Sequence, residues 1–504
     1  MTGPALRAAV AVLAVAVGGA GCATTAPAPL LQVRSAQARE TIFDVVLRRF
    51  ARMYIEPTAI DPSAMFAGAV SELVATVPEL DSRTRGSVIE LDVAGRRASL
   101  SRQVSDLTEL AAALAVATDW LESADLPEEP LAFEAAALRG AVRAVDRWGN
   151  IFYGRDKDAF MNRFRGSMAG VGCRVGRRDG VVQILDVYPG SPAARAGLRK
   201  GDNLVAIDGE SVEAENVSDV VGRLRGHVGT RVTARVRRPP QEVEIDVAVT
   251  RSHFIVPTVS SRMMDGTVGY LRISHIAKNS GVVAKRVLGG LRESSSLKGI
   301  VLDLRGNTGG SLLAAGYIAD QFVDDGVLIE TRGRDGQPVP TLRHRIDATV
   351  QDPPQPQNAL VILVDSRTAS SAEFLAAALV RHDRAIMVGQ QTFGKGVLQK
   401  TYNMGTDSEV LLKVTVARAY AAGGVIPEAG MVPDIIVDSG NTDTPSVACT
   451  DTAPPAEGPI ASVTLAAEAG DPRLSFAVDL INRYPALSRK ELRRLIQRDF
   501  CPQA

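Results

Sequence analysis

Apolar residues recur at two different periods along this 504-residue chain, and the period changes in blocks. From 36 to 159 the spacing is helical. The stretches 41–53, 63–77 and 107–121 repeat apolar side chains every three to four positions, and 131–148 is another helical stretch rich in alanine. They predict a helical N-terminal region with no chemistry written in it. From 167 to 251 the chain turns to short β-branched runs, 181–187 among them, broken by glycine and proline. Beyond 254, apolar runs at 269–273, 300–304, 361–364 and 385–388 are interleaved with helical stretches at 312–322 and 372–380. Strands buried on both faces and separated by helices predict parallel βαβ units. The run 410–419, with Leu412, Val414 and Val416 alternating, adds a strand; 441–458, rich in Pro, Thr and Ala, predicts a loop; 473–483 and 488–498 predict a closing helical pair.

The length exceeds one ordinary core, so two to four domains are expected. Lys plus Arg and Asp plus Glu number 57 each, a balance that gives no reason to expect nucleic acid. The five histidines (His227, His253, His275, His344, His382) and the four cysteines are scattered, so no metal or other cofactor is expected. Residues 1–21 carry Arg7, an apolar run at 8–17 and then small residues, the pattern of an export signal and too short for a confident membrane span. The small residues leading to Cys22 resemble a bacterial lipoprotein box, with Gly19 where that box has a larger apolar side chain; an ordinary cleaved signal is the alternative. Either one takes the chain out of the cytoplasm. There, Cys449 and Cys501 are either a disulfide or two buried thiols, and Cys173 is a free core thiol.

The chemistry concentrates between 361 and 399. Ser370 falls at the carboxyl end of a predicted strand and the start of a predicted helix, where open α/β sheets place ligands and where helix amides favour negative charge. Lys395 stands between Gly394 and Gly396, and an extended segment would put Lys395, Val397 and Gln399 on one face. Ser370 as nucleophile, Lys395 as its base and Gln399 as the group orienting the amine make one reading, which requires a neutral lysine. The other is structural: Ser370 to Glu373 is a Ser-x-x-Glu capping box, and a lysine between glycines is commonly a turn residue or an anion contact. Asp303 with Arg305 reads as a salt-bridged pair, and His275 as a structural strand-end histidine.

The strings TASSAEF and TFGKGVLQ, with Ser370, Glu373 and Lys395 in place and 395 minus 370 equal to 25, resemble the Ser-Lys carboxyl-terminal processing (tail-specific) proteases of family S41. Gln399 matches the glutamine of that family's Ser-Lys-Gln triad, and VLDLRGNTGG (301–310) matches its glycine segment. The string YPGSPAARAGLRKGDNLVAIDG resembles the family's PDZ domain, with Gly170, Val171 and Gly172 as the candidate carboxylate loop. Where the family has Thr-Pro after a tyrosine near its closing segment, this chain has Ala421-Ala422.

The resemblance implies a multidomain α+β protein with a helical domain at 37–160, a PDZ domain at 165–251, a ClpP/crotonase-like α/β catalytic domain at 252–440, and a loop with C-terminal helices at 441–504; the leader pattern itself predicts a signal peptide of lipoprotein type at 1–22 and a tether at 23–36. The resemblance implies an oxyanion hole from Ser371 with Gly309 or Gly310 and a serine endopeptidase that takes substrates by their C-terminal tails, while the leader predicts a place in the bacterial envelope on the periplasmic side, anchored by lipid only. An adaptor or activating lipoprotein and a homo-oligomer stay open. Two rivals stand beside it: a catalytically silent PDZ scaffold, and a crotonase-type acyl-CoA enzyme.

Overall fold

The computed structural model describes residues 41–500 except 125, 166, 340–344, 350–357, 406–408, 440–445, 450–460, 466–470 and 486–488. The leader, the tether, Cys22 and Cys501 lie outside the described residues. The chain divides into two compact units, one of 1–158, 333–337 and 398–417, the other of 159–332, 338–397 and 418–504.

The first unit is built on helices Ile42–Met53, Pro62–Thr76, Leu107–Glu122 and Pro130–Val145. Thr41, Asp61 and Asp106 cap the first three, each accepting from amides of the opening turn. Their apolar faces close on Phe43, Phe50, Phe66, Leu110 and Phe133, all fully buried. The helical expectation misses a three-stranded antiparallel sheet, Leu80–Arg85, Val88–Val93 and Arg96–Ser101. Only the middle strand alternates apolar with polar residues, and Arg96–Ser101 buries a serine, so its composition gives little strand signal. A strand from far along the chain completes the unit: residues 410–413 pair antiparallel with Asn150–Tyr153.

One titration in this unit has a measurable consequence. Glu134 is raised from its ordinary 4.5 to about 7, first by burial and then by the carboxylates of Glu122, Asp119 and Glu409. A folded-state value above the unfolded one contributes stability that is full below about pH 4.5 and lost as pH rises through 7. Glu134→Gln is therefore expected to raise Tm at pH 8 and to leave it nearly unchanged at pH 4.5. Thermal melts of both proteins at the two pH values check this.

The second unit holds two sheets that matter for function. An eight-stranded sheet carries Val259–Met264, Val268–Ile273, Gly299–Asp303, Ala359–Val364, Ile386–Gly389, Ile435–Ser439, Ala461–Leu465 and Ser446–Cys449 in that order. From Val268–Ile273 to Ala461–Leu465 the neighbours are parallel, as expected for the central runs, with Val361 opposite Ile386. The stretch expected to be a loop at 441–458 contributes the strand Ser446–Cys449, and helix Pro472–Arg483 buries Leu474, Ala477 and Ile481 against Val301 and Val361. The sheet's core therefore continues well past residue 440. The other sheet joins Cys173–Arg178, Val181–Val187, Asn203–Ile207, Arg231–Arg238 and Val243–Thr250, with helix Val217–Leu224 packed on the same core. Ala422, where the family has proline, turns at φ 44°, a value the proline ring forbids. That hairpin therefore takes a different turn from one built on Thr-Pro.

Candidate active site

Ala359–Val364 is buried along its whole length and ends in a turn that leads to helix Ser371–Arg381, whose residues 371–380 are also buried. Ser370 stands at the junction with φ 58° and ψ −126°. An ordinary N-cap serine has extended dihedrals, whereas this one is held in a region that costs a non-glycine residue roughly 1–3 kcal/mol. Strain of this kind persists only where neighbours enforce it.

The enforcing group is Glu373. Its carboxylate, fully buried, accepts four hydrogen bonds. Oε2 takes the N–H of Ser370 at 2.8 Å and that of Lys395 at 2.9 Å. Oε1 takes the Thr392 hydroxyl at 2.5 Å and the Gly394 N–H at 2.8 Å. A single carboxylate oxygen thus joins the main chains of the two candidate catalytic residues across 25 positions of sequence. The capping role expected of Glu373 is real, and it is only half of what the residue does.

Lys395 is half-buried in an irregular segment that precedes the strand Val397–Met404. The shared-face argument therefore holds from Val397 to Gln399 and does not extend to Lys395. Gly394 has φ 89°, and a β-carbon there would lie 2.2 Å from the Glu428 carbonyl oxygen, so the lysine's approach needs glycine. Gln399 falls in the first unit, where its Nε2 lies 3.5 Å from the Thr415 hydroxyl.

The glycine turn after Gly299–Asp303 comes up beside Ser370: a β-carbon on Gly309 would sit 2.8 Å from that of Ser370 and 3.0 Å from the Ser371 nitrogen. Asn307, missed in the sequence, locks this turn. Its amide donates to the Ile273 carbonyl at 2.8 Å and its Oδ1 accepts the Gly309 N–H at 2.9 Å, while its carbonyl accepts the Ala369 N–H at 2.9 Å. A short amide just before Gly-Gly was the available signal. Because the Gly309 N–H is engaged, Gly310 is the glycine left to supply an oxyanion donor. Gly310 and Ser371 N–H groups bond to no acceptor among the described residues. His275 packs beside this turn, its Cε1 3.1 Å from where a Gly310 β-carbon would be.

Asp303 and Arg305 form the expected ion pair at 2.7 Å, extended by Arg272 at 2.9 Å and by Asp471 at 2.6 Å from Arg305. Burial pushes the Asp303 carboxyl up, but the bonds from Arg305 outweigh it and hold the group below the usual carboxylate range. The network ties the strand end beneath the glycine turn to the start of helix Pro472–Arg483.

In the other sheet Cys173–Arg178 is the terminal strand, bonded on one side to Val181–Val187 and carrying no strand on its other edge among the described residues. Helix Val217–Leu224 stands next to it, its last carbonyls capped by buried Arg251, which donates to Arg223 O at 2.8 Å and Leu224 O at 3.2 Å. Val171, Val175, Val220 and Leu224 are buried here, and burial pushes the free Cys173 thiol up to about 12. Gly170 and Gly172 have φ 150° and 84°. The Val171 and Gly172 carbonyls accept from Ala193 at 2.7 Å and Tyr188 at 3.1 Å. Carbonyl and following N–H point opposite ways in a trans peptide, so the Gly172 and Cys173 amides are turned away from those partners.

Sequence comparison bears on these two sites. The Peptidase family S41 model matches residues 267–437, which hold the Ser370 turn, the glycine turn and Lys395, and the PDZ domain model matches 183–238. Residues 267–437 are thus similar to peptidase family S41. Similar proteins include the carboxy-terminal-processing protease of Bartonella bacilliformis, 29% identical over 60% of this chain and 69% of that one. The carboxy-terminal processing protease CtpA of Bacillus subtilis is 30% identical over 59% of this chain and 62% of its own length. Among solved structures, the photosystem II D1 C-terminal processing protease is 23% identical, covering 79% of this chain and 92% of that one, with a TM-score of 0.41. These matches support a serine-type peptidase, with a PDZ domain in the same chain.

Proposed function

We propose that this protein is an exported S41-type endopeptidase that grips substrate proteins by their C-terminal tails and cleaves them through a Ser370–Lys395 dyad. The observation that carries the reading is the strained Ser370 at the head of a buried helix, its amide and that of Lys395 held by one Glu373 oxygen. Neutral Lys395 takes the Ser370 proton as Oγ attacks the scissile carbonyl, and the oxyanion is met by the N–H groups of Ser371 and Gly310. Lys395 then protonates the leaving amine, and water hydrolyses the acyl-enzyme on Ser370. Gln399 orients the Lys395 amine. The open edge of Cys173–Arg178 accepts the tail as an added strand, with the loop of Gly170, Val171 and Gly172 receiving its carboxylate. The leader pattern ending at Cys22 supports a lipid-anchored periplasmic location, with protein substrates as the partners; an adaptor or self-association would act on access to the site.

The test is cleavage of an unfolded reporter carrying an apolar tail, with the terminal carboxylate free or amidated. The free tail is expected to be cut at least about tenfold faster, because amidation removes the charge that the loop amides receive. Equal rates would end the tail-recognition reading. Tail binding with no cleavage under any condition would favour the silent scaffold.

A further inference from the structure

The loop at 170–172 stands next to a buried charge that its surroundings do not balance. Strand Ser252–Ile255 pairs antiparallel with Ser167–Gly170 and sets Ser252 opposite Gly170, the first residue of the candidate carboxylate loop. Arg251 directly precedes that pairing and is only 8% exposed. Its guanidinium donates to the carbonyls of Arg223 at 2.8 Å, Leu224 at 3.2 Å and Arg231 at 3.2 Å, and to the Thr230 hydroxyl at 2.9 Å. All four acceptors are neutral. No carboxylate among the described residues pairs with it, although buried charges as a rule are paired. The loop reaches the same carbonyls: a β-carbon built on Gly170 would lie 3.8 Å from Leu224 O, the atom to which Arg251 Nε donates. Those carbonyls end helix Val217–Leu224 and form the negative pole of its dipole. Left bare, they would repel a carboxylate at the loop.

We infer that Arg251 is a specificity-determining residue, whose uncompensated charge reverses the sign of this helix end and makes the loop select a free terminal carboxylate. The inference rests on the reading that Gly170, Val171 and Gly172 receive the end of a substrate tail, and it names the source of the positive charge. Loop amides donate to the carbonyl oxygen of an amidated end as well as to a carboxylate, so much of the discrimination has to come from a charge. A neutral donor would cap the helix equally. The guanidinium caps it and adds a full charge, in a buried place where salt screens it less than at the surface. The substrate's terminal carboxylate is then the counter-ion that the fold leaves out.

The measurement is binding of an apolar-tailed peptide, with its terminal carboxylate free or amidated, to the full chain carrying Ser370→Ala so that the probe is not turned over. Arg251→Gln keeps a donor for the helix carbonyls and removes the charge. Thr230→Asp leaves Arg251 in place and gives it a carboxylate partner at an exposed position. Both are expected to weaken the free tail, about tenfold for Arg251→Gln and about threefold or more for Thr230→Asp, and to change the amidated tail by about twofold or less. Arg251→Lys, which keeps the charge, should retain the preference. Arg195→Gln removes an exposed arginine bonded to the Ser252 hydroxyl at 3.1 Å and is the control for surface charge, with an expected effect below about twofold. Melting temperature checks the fold of each variant. Should Arg251→Gln fail that check, Thr230→Asp decides. Equal weakening of both tails would make Arg251 a helix cap and nothing more, and overturns the inference. So does a loss in Arg195→Gln as large as in Arg251→Gln, or an unchanged preference in the folded variants. A protein with native Arg251 that binds both tails equally removes the tail-recognition reading and this inference with it; a preference that survives the variants removes the role of Arg251 alone.

Discussion

Ser370→Ala and Lys395→Ala should each abolish reporter cleavage, by about 10³-fold or more, while leaving the melting temperature and tail binding near those of the unaltered protein. The two substitutions are expected to be equally damaging and not additive. Without the hydroxyl there is no acyl-enzyme; without the amine nothing takes the hydroxyl's proton, and nothing returns one to the leaving group. The scaffold around them survives because Glu373 holds their main-chain amides, which alanine retains. Ser370→Ala also keeps the strained dihedrals of a non-glycine residue, so the glycine turn at Gly309 stays packed against a β-carbon at that position. Full activity in either variant would remove the dyad from the protein's chemistry. Single-turnover assays at enzyme excess, with intact-mass measurement of an acylated chain in the unaltered protein only, give the cleanest readout.

Glu373→Gln is the second large effect, and it leaves both catalytic side chains in place. All four groups around the carboxylate are donors, so it satisfies them and an amide cannot. Turned one way, the new –NH2 confronts the amides of Ser370 and Lys395; turned the other, it confronts that of Gly394. Leaving buried donors against a donor costs about 3 kcal/mol or more. Activity should fall about 100-fold or more, because Ser370 loses what holds it at positive φ and Lys395 loses its shared anchor. The check is a urea melt alongside kcat. Loss of stability with full catalytic rate in the surviving folded fraction would show that the bridge does not position the dyad.

How far the sequence reveals all this depends on whether a residue's partners are local. The Ser370 turn was legible because Val361–Val364 and 385–388 are short, uninterrupted apolar runs on either side of an apolar helix, a pattern that favours buried strands of a parallel unit. The bridging role of Glu373 was not, since Ser-x-x-Glu is satisfied within one helical turn and nothing local announces Thr392, Gly394 or Lys395. The same holds for Gly309. Its motif places it at the oxyanion position, yet the Asn307 side chain decides that its N–H is already used. The sheet at 80–101 and the strand Ser446–Cys449 escaped because their residues are charged, small or hydroxylated, and only pairing with neighbours makes them strands. The buried pair in which the Asp146 carboxylate accepts from the Thr415 N–H and hydroxyl escaped for a plainer reason: its two residues are 269 positions apart.

That last separation sets an order of events during synthesis. The first unit takes its helices from residues 42–145 and a strand from 398–417, so Asn150–Tyr153 lacks its partner strand, and Asp146 its threonine, until more than half of the rest has been made. Most of the strands of the second unit are complete by then. The part that leaves the ribosome first is therefore among the last to finish, and closing it is a long-range step whose entropy cost comes before its contacts are made. Cutting the gene near residue 160 would not release an independent domain; it would yield helices with an open strand edge and a buried aspartate stripped of the threonine that satisfies it.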